Sequence, residues 1–340
     1  MRSNSSYMKT LIPSILAGAF MASALTLSAA EPKRVIVCTV TTGFRHSSIP
    51  FAEKTLQKLA DESKAFTIVD FARQPDGNIP QKPNKPKAPA ADADQKTQDR
   101  YQADLKKYET EIAKWTPEYE KQANDAKGNF DKALKQSLSI LAPEYLTKEK
   151  IDGVIFANTT GDLPLPDKEG FIKWIQDGHA FMAMHSGSDT FHGFPAYISM
   201  LGGEFRGHGA QVPADLIKGD PQHPATAGLP DQWNIAQEEM YEFKNHDRAN
   251  VHVLWFLRHD PQRKTQDPYA GVSWCKMDGK GRVFYTSLGH REDLWSDDES
   301  LKDRKNPVET ARQYQQHILG GIKWALGLAE GSATPNPDVK

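Results

Sequence analysis

Short apolar runs alternate with helical patterns along most of this chain. The first run, Arg34 to Val40, leads into a polar loop, Thr41 to Ser48. A helical pattern follows, and a second apolar run covers Phe66 to Phe71. A strand, a helix and a second strand in this order are typical of a βαβ unit, in which the two strands are parallel.

The same alternation resumes at Ile151 to Ala157 and continues almost to the C-terminus. A helix is predicted around Lys168 to Gln176, where apolar residues recur at helical spacing. The other predicted elements are strands at His179–Met184, Val251–Leu257, Gly271–Met277 and Arg282–Ser287 and a closing helix at about Val308–Leu326. The pattern therefore predicts an α/β fold, with a parallel sheet covered by helices.

Residues 75–140 interrupt this pattern. Pro75 to Ala91 is rich in Pro, Lys and Ala, which predicts an extended linker. Beyond it, an apolar seam at helical spacing comprises Tyr101, Leu105, Tyr108, Ile112, Trp115 and Tyr119. Thr116-Pro117 predicts a break and hence a helical hairpin, with a single kinked helix as the alternative. Such an inserted arm either packs on its parent domain or mediates contact with a partner or a second copy.

The first thirty residues have the pattern of an export signal. Arg2 and Lys9 precede an apolar stretch, and the small residues Ser28-Ala-Ala30 predict cleavage before Glu31. We therefore expect a periplasmic or extracellular protein, and an uncut signal would instead act as a membrane anchor. The remaining chain is predicted to be one domain at 31–330, followed by a polar tail at 331–340.

Charge and cysteine content exclude several classes of protein. The chain has 42 Lys and Arg against 44 Asp and Glu, a net charge of −2. Such a balance provides no electrostatic field for nucleic acid, and after signal cleavage no apolar run is long enough to cross a membrane. Cys38 and Cys275 each lie in an apolar run, which predicts two buried free thiols, although one disulfide would be allowed in an exported protein.

Polar residues follow the predicted parallel strands, where open α/β sheets bind their ligands. These residues are Arg45, His46, Thr160, His185, Ser186 and His290. Three histidines at three strand ends would meet in one crevice. The alternative is that they fill polar loops.

Two kinds of chemistry are conceivable after the strand that ends at Met184. His185 or Ser186 on a strand-to-helix elbow would suit nucleophilic catalysis, but the Gly-x-Ser-x-Gly motif is absent. Alternatively, His185 with Asp189 and His192, four and seven residues later, would act in acid–base catalysis or bind a divalent metal. The sequence leaves the identity and the presence of a metal open.

Further candidates lie closer to the C-terminus. Glu239 and Tyr241 would share one face of a strand, and an acid beside a phenol suits a hydroxyl-rich ligand. The alternative for Glu239 is an exposed edge-strand residue. Trp295 lies among polar residues, which fits a sugar-stacking platform or a core tryptophan equally well. His208 lies in a Gly-rich segment. It would either belong to the site or form only hydrogen bonds within this loop.

Several ordered motifs resemble the ThuA-like (trehalose utilisation) family. They are Thr42-Gly-Phe-Arg-His-Ser47, Met184-His-Ser-x-x-Asp-x-Phe191, Tyr197 with Leu201-Gly-Gly-x-Phe205 and His208, His223-Pro224 before Gly228-Leu229, Glu239-Met-Tyr241, Gly281-Arg-Val-Phe-Tyr285, Leu288-Gly-His290 and Gly321-Ile-Lys-Trp-Ala-Leu-Gly327. The resemblance covers nearly all of 34–73 and 148–328. The insertion departs from the compact pattern of the family.

The resemblance implies a class I glutamine amidotransferase-like fold, which is a flavodoxin-like, doubly wound, mostly parallel sheet with helices on both faces. It implies a role in the metabolism of disaccharides or their keto forms. Glutaminase activity is not expected, because His185-Ser186 occupies the place of the required cysteine. Carried over to this chain, the family's pocket residues are His46, His185, Asp189, His208, Glu239 and His290.

We therefore expect an exported enzyme that acts on a disaccharide or keto-sugar by histidine and carboxylate acid–base chemistry, with or without a metal. The expected catalytic residues are His185, His290, Asp189 and Glu239. The expected substrate-binding residues are His46, Arg45, Thr160, Ser186, His208, Tyr241 and Trp295. Two alternatives remain open: a non-catalytic carbohydrate-binding protein, and an interaction protein that acts through its helical arm, for example by forming a homo-oligomer.

Overall fold

A computed structural model describes residues 1–3, 31–77, 79–257 and 270–339. Most of the predicted signal segment, residues 4–30, lies outside this described part of the chain. Pro32–Lys340 forms one compact unit. No helix among the described residues is both long enough and apolar enough to span a membrane.

The elements follow the order that the hydrophobic pattern predicts, with additional strands between residues 204 and 244. Within the described ranges the strands are β1 (Lys33–Cys38), β2 (Phe66–Ala72), β3 (Gly153–Ala157), β4 (Ala180–Met184), β5 (Glu204–His208), β6 (Val212–Lys218), β7 (Gln232–Glu238), β8 (Tyr241–Lys244), β9 (His252–Leu257), β10 (Ala270–Asp278) and β11 (Gly281–Thr286). The helices are α1 (Ile49–Ser63), α2 (Gln95–Ile112), α3 (Pro117–Leu138), α4 (Pro143–Lys148), α5 (Lys168–Gln176), α6 (Pro195–Leu201), α7 (Glu292–Trp295) and α8 (Val308–Ala325).

The main sheet is mixed, with one parallel and one antiparallel half. The described strands run in the order β2-β1-β3-β4-β11-β10-β9-β6-β7, while β5 and β8 form a separate ribbon. Strands β2, β1, β3, β4 and β11 are parallel, and every later neighbour is antiparallel. The expectation of a mostly parallel sheet is thus right for one half only. The tight turn between Asp278 and Gly281 explains the switch, because so short a link can join only antiparallel strands.

Both faces of the parallel half are buried, and successive side chains of β1 enter different cores. Val35 and Val37 pack with α1 and α8, whereas Ile36 and Cys38 belong to the core that contains α5 and α6. Cys275 lies in the first of these cores. The two thiols are therefore on opposite faces of the sheet, and both are buried and free, as the favoured interpretation predicted.

The insertion contains two separate helices rather than one kinked helix. Thr116 caps α3 by accepting a hydrogen bond from the Tyr119 amide, and Pro117 occupies the first helical turn. No residue of α2 is buried, whereas α3 buries Leu134 and Leu138 in the domain core. The C-terminal end of α3 therefore anchors the insertion to its parent domain.

The polar C-terminal segment lies against the domain. The side-chain amide of Asn336 accepts a hydrogen bond from the Val253 amide at 2.7 Å and donates one to the Val253 carbonyl at 3.1 Å. Trp324 Nε1 also donates to the Gly331 carbonyl at 3.0 Å. This segment therefore satisfies backbone groups of β9 and the indole N–H of Trp324 in α8.

Candidate functional site

The ends of three parallel strands bring three histidines together. His46 lies in the loop after β1, His185 follows β4 directly, and His290 lies in the loop after β11. Glu239 joins them, so that one potential ligand atom from each of the four side chains lies within 4.8 Å of all the others. The predicted convergence of strand-end histidines is thus present in the structure.

His185 occupies a strained elbow at the end of β4. Its φ of 50° is left-handed, which costs a residue with a side chain roughly 1–2 kcal/mol. The Tyr285 hydroxyl donates to the His185 carbonyl, and the His185 Nδ1–H donates to the Ser287 carbonyl, both at 2.8 Å. The second bond fixes the tautomer, because Nδ1 must carry the proton, and it leaves the Nε2 lone pair facing the cluster.

Glu239 reaches the cluster from a break between two strands. Glu238 ends β7 in the main sheet, and Tyr241 begins β8 in the separate ribbon. The expectation that Glu239 and Tyr241 share one continuous strand is therefore wrong, although both side chains enter the site. Glu239 Oε2 lies 3.0 Å from His290 Nδ1 and 3.8 Å from His185 Nε2.

Tyr241 and His208 complete the site from the β5–β8 ribbon, where they are paired residues. The Tyr241 hydroxyl lies 2.8 Å from His185 Nε2 and donates to its lone pair. The His208 ring stacks at 5.8 Å from the Tyr241 ring, and its Nδ1–H donates to the Gly209 carbonyl. His208 Nε2 therefore carries a lone pair at the partly exposed edge of the site.

Burial keeps two of the histidines neutral. It lowers the pKa of His46 to about 4, with help from the nearby His290. It also lowers the pKa of His185 well below the ordinary value. Burial opposes protonation of His290 too, but the Glu239 and Glu238 carboxylates outweigh it and raise the pKa of His290. At neutral pH, His46 and His185 consequently offer lone pairs rather than charges.

Glu238 supports the cluster from behind. Its buried carboxylate accepts hydrogen bonds from the amides of Glu239 at 2.8 Å, His290 at 3.2 Å and Arg291 at 3.4 Å. It thereby links the end of β7 to the loop that carries His290. Burial raises the pKa of Glu238 to about 7. Glu238 is not among the site residues predicted from the sequence, although an acidic pair at the end of an apolar strand was a usable signal.

The four clustered side chains fit a divalent transition metal. Around an ion with bonds of 2.0–2.1 Å, neighbouring ligands of a tetrahedron lie about 3.3–3.4 Å apart. The distance from His46 Nε2 to His185 Nε2 is 3.1 Å. Glu239 Oε2 lies 3.0 Å from His290 Nδ1 and 3.8 Å from His185 Nε2, and these two distances lie on either side of the tetrahedral value. His290 Nδ1 is buried without a hydrogen bond despite its short distance to Glu239. A cation would satisfy this atom, and the Ser287 carbonyl already orients His185 as second-shell groups orient metal ligands.

Comparison with known proteins agrees with these motifs. The family model for ThuA, described as trehalose utilisation, matches residues 34–325. The chain belongs to the ThuA family. The family description indicates a carbohydrate-related role. No curated protein matches this member of the ThuA family.

Two solved structures share the fold of this ThuA-family chain. A ThuA-like protein from Parabacteroides merdae ATCC 43184 is 15% identical, with a TM-score of 0.54 over 91% of this chain and 96% of the other. A ThuA-like protein from Bacteroides uniformis ATCC 8492 is also 15% identical, with a TM-score of 0.51 over 87% of this chain and 93% of the other. At such identity, the likeness shows a common fold alone.

Two residues of this ThuA-family chain that were predicted to bind substrate are buried and hydrogen-bonded within the fold instead. Trp295 is fully buried and its Nε1 donates to the Gly289 carbonyl, so its ring cannot stack on a sugar. Thr160 is fully buried and donates to the Phe44 carbonyl. Arg45 is exposed, and its guanidinium donates hydrogen bonds to the Thr39 carbonyl and the Gln74 side chain at the end of β1. Its substrate-binding role stays a prediction.

Asp189 lies outside the four-residue cluster, and the substrate-binding role of Ser186 stays a prediction. Asp189 Oδ1 lies 2.5 Å from His192 Nε2, and the opposite nitrogen of His192 bonds Glu204. Asp189 therefore makes its contacts outside the four-residue cluster. The segment from His185 to Asp189 is a 3₁₀ turn rather than the α-helix on which the predicted alignment with His185 depended. Ser186 Oγ lies 3.3 Å from His46 Nδ1, but the low pKa of His46 makes it a poor base for a serine nucleophile.

Proposed function

We propose that this ThuA-family protein is an enzyme that acts on a disaccharide or keto-sugar by metal-assisted acid–base chemistry. The supporting observation is the cluster of His46, His185, Glu239 and His290, with its ligand atoms within 4.8 Å of each other. Imidazole and carboxylate donors suit zinc and other first-row divalent metals. A bound cation would polarise a carbonyl or hydroxyl oxygen of the sugar.

The proposed acid is Tyr241. Burial raises the pKa of its hydroxyl well above the ordinary value, so this hydroxyl stays protonated at neutral pH and carries a proton that it can donate. It lies 2.8 Å from His185 Nε2, an atom that would bind the metal. The hydroxyl would then be free to donate to a substrate oxygen at the centre of the site.

The proposed base is His208. The hydrogen bond from its Nδ1 to the Gly209 carbonyl leaves Nε2 unprotonated in the neutral ring. Its side chain is 36% exposed, so a substrate can reach it. A donor and an acceptor on stacked rings suit proton transfer at adjacent substrate atoms, as in elimination, isomerisation or hydrolysis of a sugar.

Metal analysis of the purified protein provides the first test. We expect about one equivalent of a divalent transition metal in the wild type and strongly reduced content in His185→Ala and His290→Ala. His179→Ala is the matched control, because His179 immediately precedes β4 at the end opposite His185. A wild type that binds no divalent metal, or equal metal content in all four proteins, would overturn the metal-assisted mechanism.

Turnover separates an enzyme from a binding protein. Metal-loaded protein would be incubated with trehalose and with keto-disaccharides, and the products followed by NMR. Product formation that disappears in His208→Ala and His290→Ala supports the enzyme. Saturable binding without any product would instead support a non-catalytic carbohydrate-binding protein.

Cellular location and assembly also belong to the proposal. The basic and apolar pattern of residues 1–30 supports export to the periplasm or beyond, and N-terminal sequencing of the protein from its native host tests cleavage before Glu31. The strand order of the parallel half supports a flavodoxin-like relationship. The exposed surface of α2 leaves room for a homo-oligomer through the insertion. Deleting α2 and the turn after it, residues 95–115, spares the core residues of α3, and the mass of this variant in solution tests the proposal.

A further inference from the structure

Phe44 is an exposed aromatic ring beside the histidine cluster. The residue is 67% exposed, and no other phenylalanine in the described part of the chain is exposed. The ring lies 4.8 Å from the His46 ring in an edge-to-face arrangement. A large apolar ring thus faces solvent one side chain away from the potential metal ligands.

The backbone around Phe44 is held in place. The Thr160 hydroxyl donates to the Phe44 carbonyl at 2.8 Å, and the Thr42 amide donates to the Thr160 carbonyl at 2.9 Å. Gly161 has φ +78°, and a Cβ there would lie 2.4 Å from the Thr42 hydroxyl. This close packing of two loops fixes the position of Phe44 beside the histidine cluster. The ring is therefore exposed to solvent in a defined position.

The loop that carries Phe44 is also joined to the loop that carries His290. Ser48 Oγ donates to the Gly289 carbonyl at 3.1 Å, and the Asn158 side chain donates to the same carbonyl at 2.9 Å. The position of the ring relative to the cluster is therefore set by buried hydrogen bonds. Binding sites commonly combine such a rigid aromatic surface with a few directed polar groups.

We propose that Phe44 is the stacking platform for a pyranose ring of the substrate. The apolar C–H face of the sugar would cover the exposed ring while its hydroxyl or carbonyl oxygens face the histidines. This inference rests on the proposed function and specifies which side chain takes the place predicted for Trp295. It makes Phe44 a specificity-determining residue that binds substrate without taking part in proton transfer.

The test compares Phe44→Ala, Phe44→Leu and Phe44→Trp in the full-length, metal-loaded protein. Affinity would be measured by NMR titration with trehalose, maltose, cellobiose and lactose. We expect a loss of tenfold or more in Phe44→Ala, a substantial loss in Phe44→Leu, and affinity within about threefold of the wild type in Phe44→Trp. Metal content is measured in parallel and should stay unchanged, because Phe44 offers no ligand.

Several outcomes would overturn the proposal. Equal sugar affinity in the wild type and Phe44→Ala would do so, as would the absence of saturable binding of every sugar to the wild type. A Phe44→Ala variant that keeps its sugar affinity but changes its mass in solution would assign the ring to an interface. Sugar binding that depends on Phe44 in a protein without metal would support the platform while refuting the metal centre, so the two proposals can fail separately.

Discussion

Replacing Asp293 with alanine should destabilise the domain and weaken the metal site together. Asp293 is buried and accepts two hydrogen bonds from the Arg291 guanidinium, at 3.0 and 3.1 Å. It also accepts from the Lys305 amide and from both the backbone and side-chain nitrogens of Asn306. The Asn306 side chain in turn bonds both backbone groups of Gln237, just before Glu238 and Glu239. One carboxylate therefore connects the His290 loop to the end of β7.

The expected size of the effect follows from what the substitution leaves behind. Only 15% of the Arg291 side chain and 1% of the Asp293 side chain are exposed, and removal of one partner from a buried ion pair costs about 3–5 kcal/mol. The entropy of unfolding is about 2.1 cal/mol/K per residue, over roughly 300 residues. A loss of about 4 kcal/mol in the free energy of unfolding, divided by this entropy, lowers Tm by about 6 °C. The contacts of Asp293 hold the loop of His290 and the end of β7 in place, and their loss should reduce metal affinity about 10- to 100-fold.

Chemical denaturation and metal titration of the same samples measure both effects. Asp298→Ala is the matched control, since Asp298 is an exposed residue nearby whose side chain accepts hydrogen bonds from Ser300, and the substitution should change stability by less than about 0.5 kcal/mol. The double variant Asp293→Ala with Arg291→Met should recover part of the loss, because the unpaired charge is then removed. If Asp293→Ala matches the control, the network does not carry the stability that we assign to it.

Two further predictions concern the site and the core. Tyr241→Phe should lower kcat about 10²- to 10⁴-fold while metal content stays constant; an unchanged kcat in a turnover assay would exclude the tyrosine as the acid. Burial lowers the pKa of His317 to about 4, so below pH 6.5 the unfolded chain binds a proton that the folded protein does not. Stability should therefore fall on acidification between pH 6.5 and 4, and His317 alone should account for about 2 kcal/mol by pH 5. Denaturation of His317→Leu at pH 7 and pH 5 should show this smaller pH dependence, and parallel pH curves for the variant and the wild type would contradict the assignment.

The sequence predicted the structure best where a single hydrophobic periodicity determines a strand or a helix. Apolar runs located β1, β3, β4 and β11, and chain order then placed His46, His185 and His290 at the same edge of a sheet. That inference needs no knowledge of side-chain direction. A residue directly after a parallel strand lies at the ligand-binding edge whichever way the following loop turns.

Side-chain direction within loops was beyond the reach of pattern analysis. Arg45 and His46 are adjacent, yet one braces Gln74 and the other enters the cluster. Trp295 and Phe44 are both aromatic residues in polar stretches of the sequence, and only the backbone course decides that one is buried and the other exposed. Glu239 depends on a break between two sheets, which a period-two pattern cannot reveal.

The two halves of the sheet contribute different parts of the site, and this division has a consequence for stability. The parallel half supplies the imidazoles through the loops after β1, β4 and β11, whereas Glu239 enters from β7, at the far edge of the antiparallel half. Tyr241 and His208 come from the separate ribbon of β5 and β8. A metal bound by both halves would stabilise only the state in which both are folded, by an amount that grows with free metal concentration. Separation of the antiparallel half would then weaken metal binding, because the three imidazoles would remain without the charge of their carboxylate ligand.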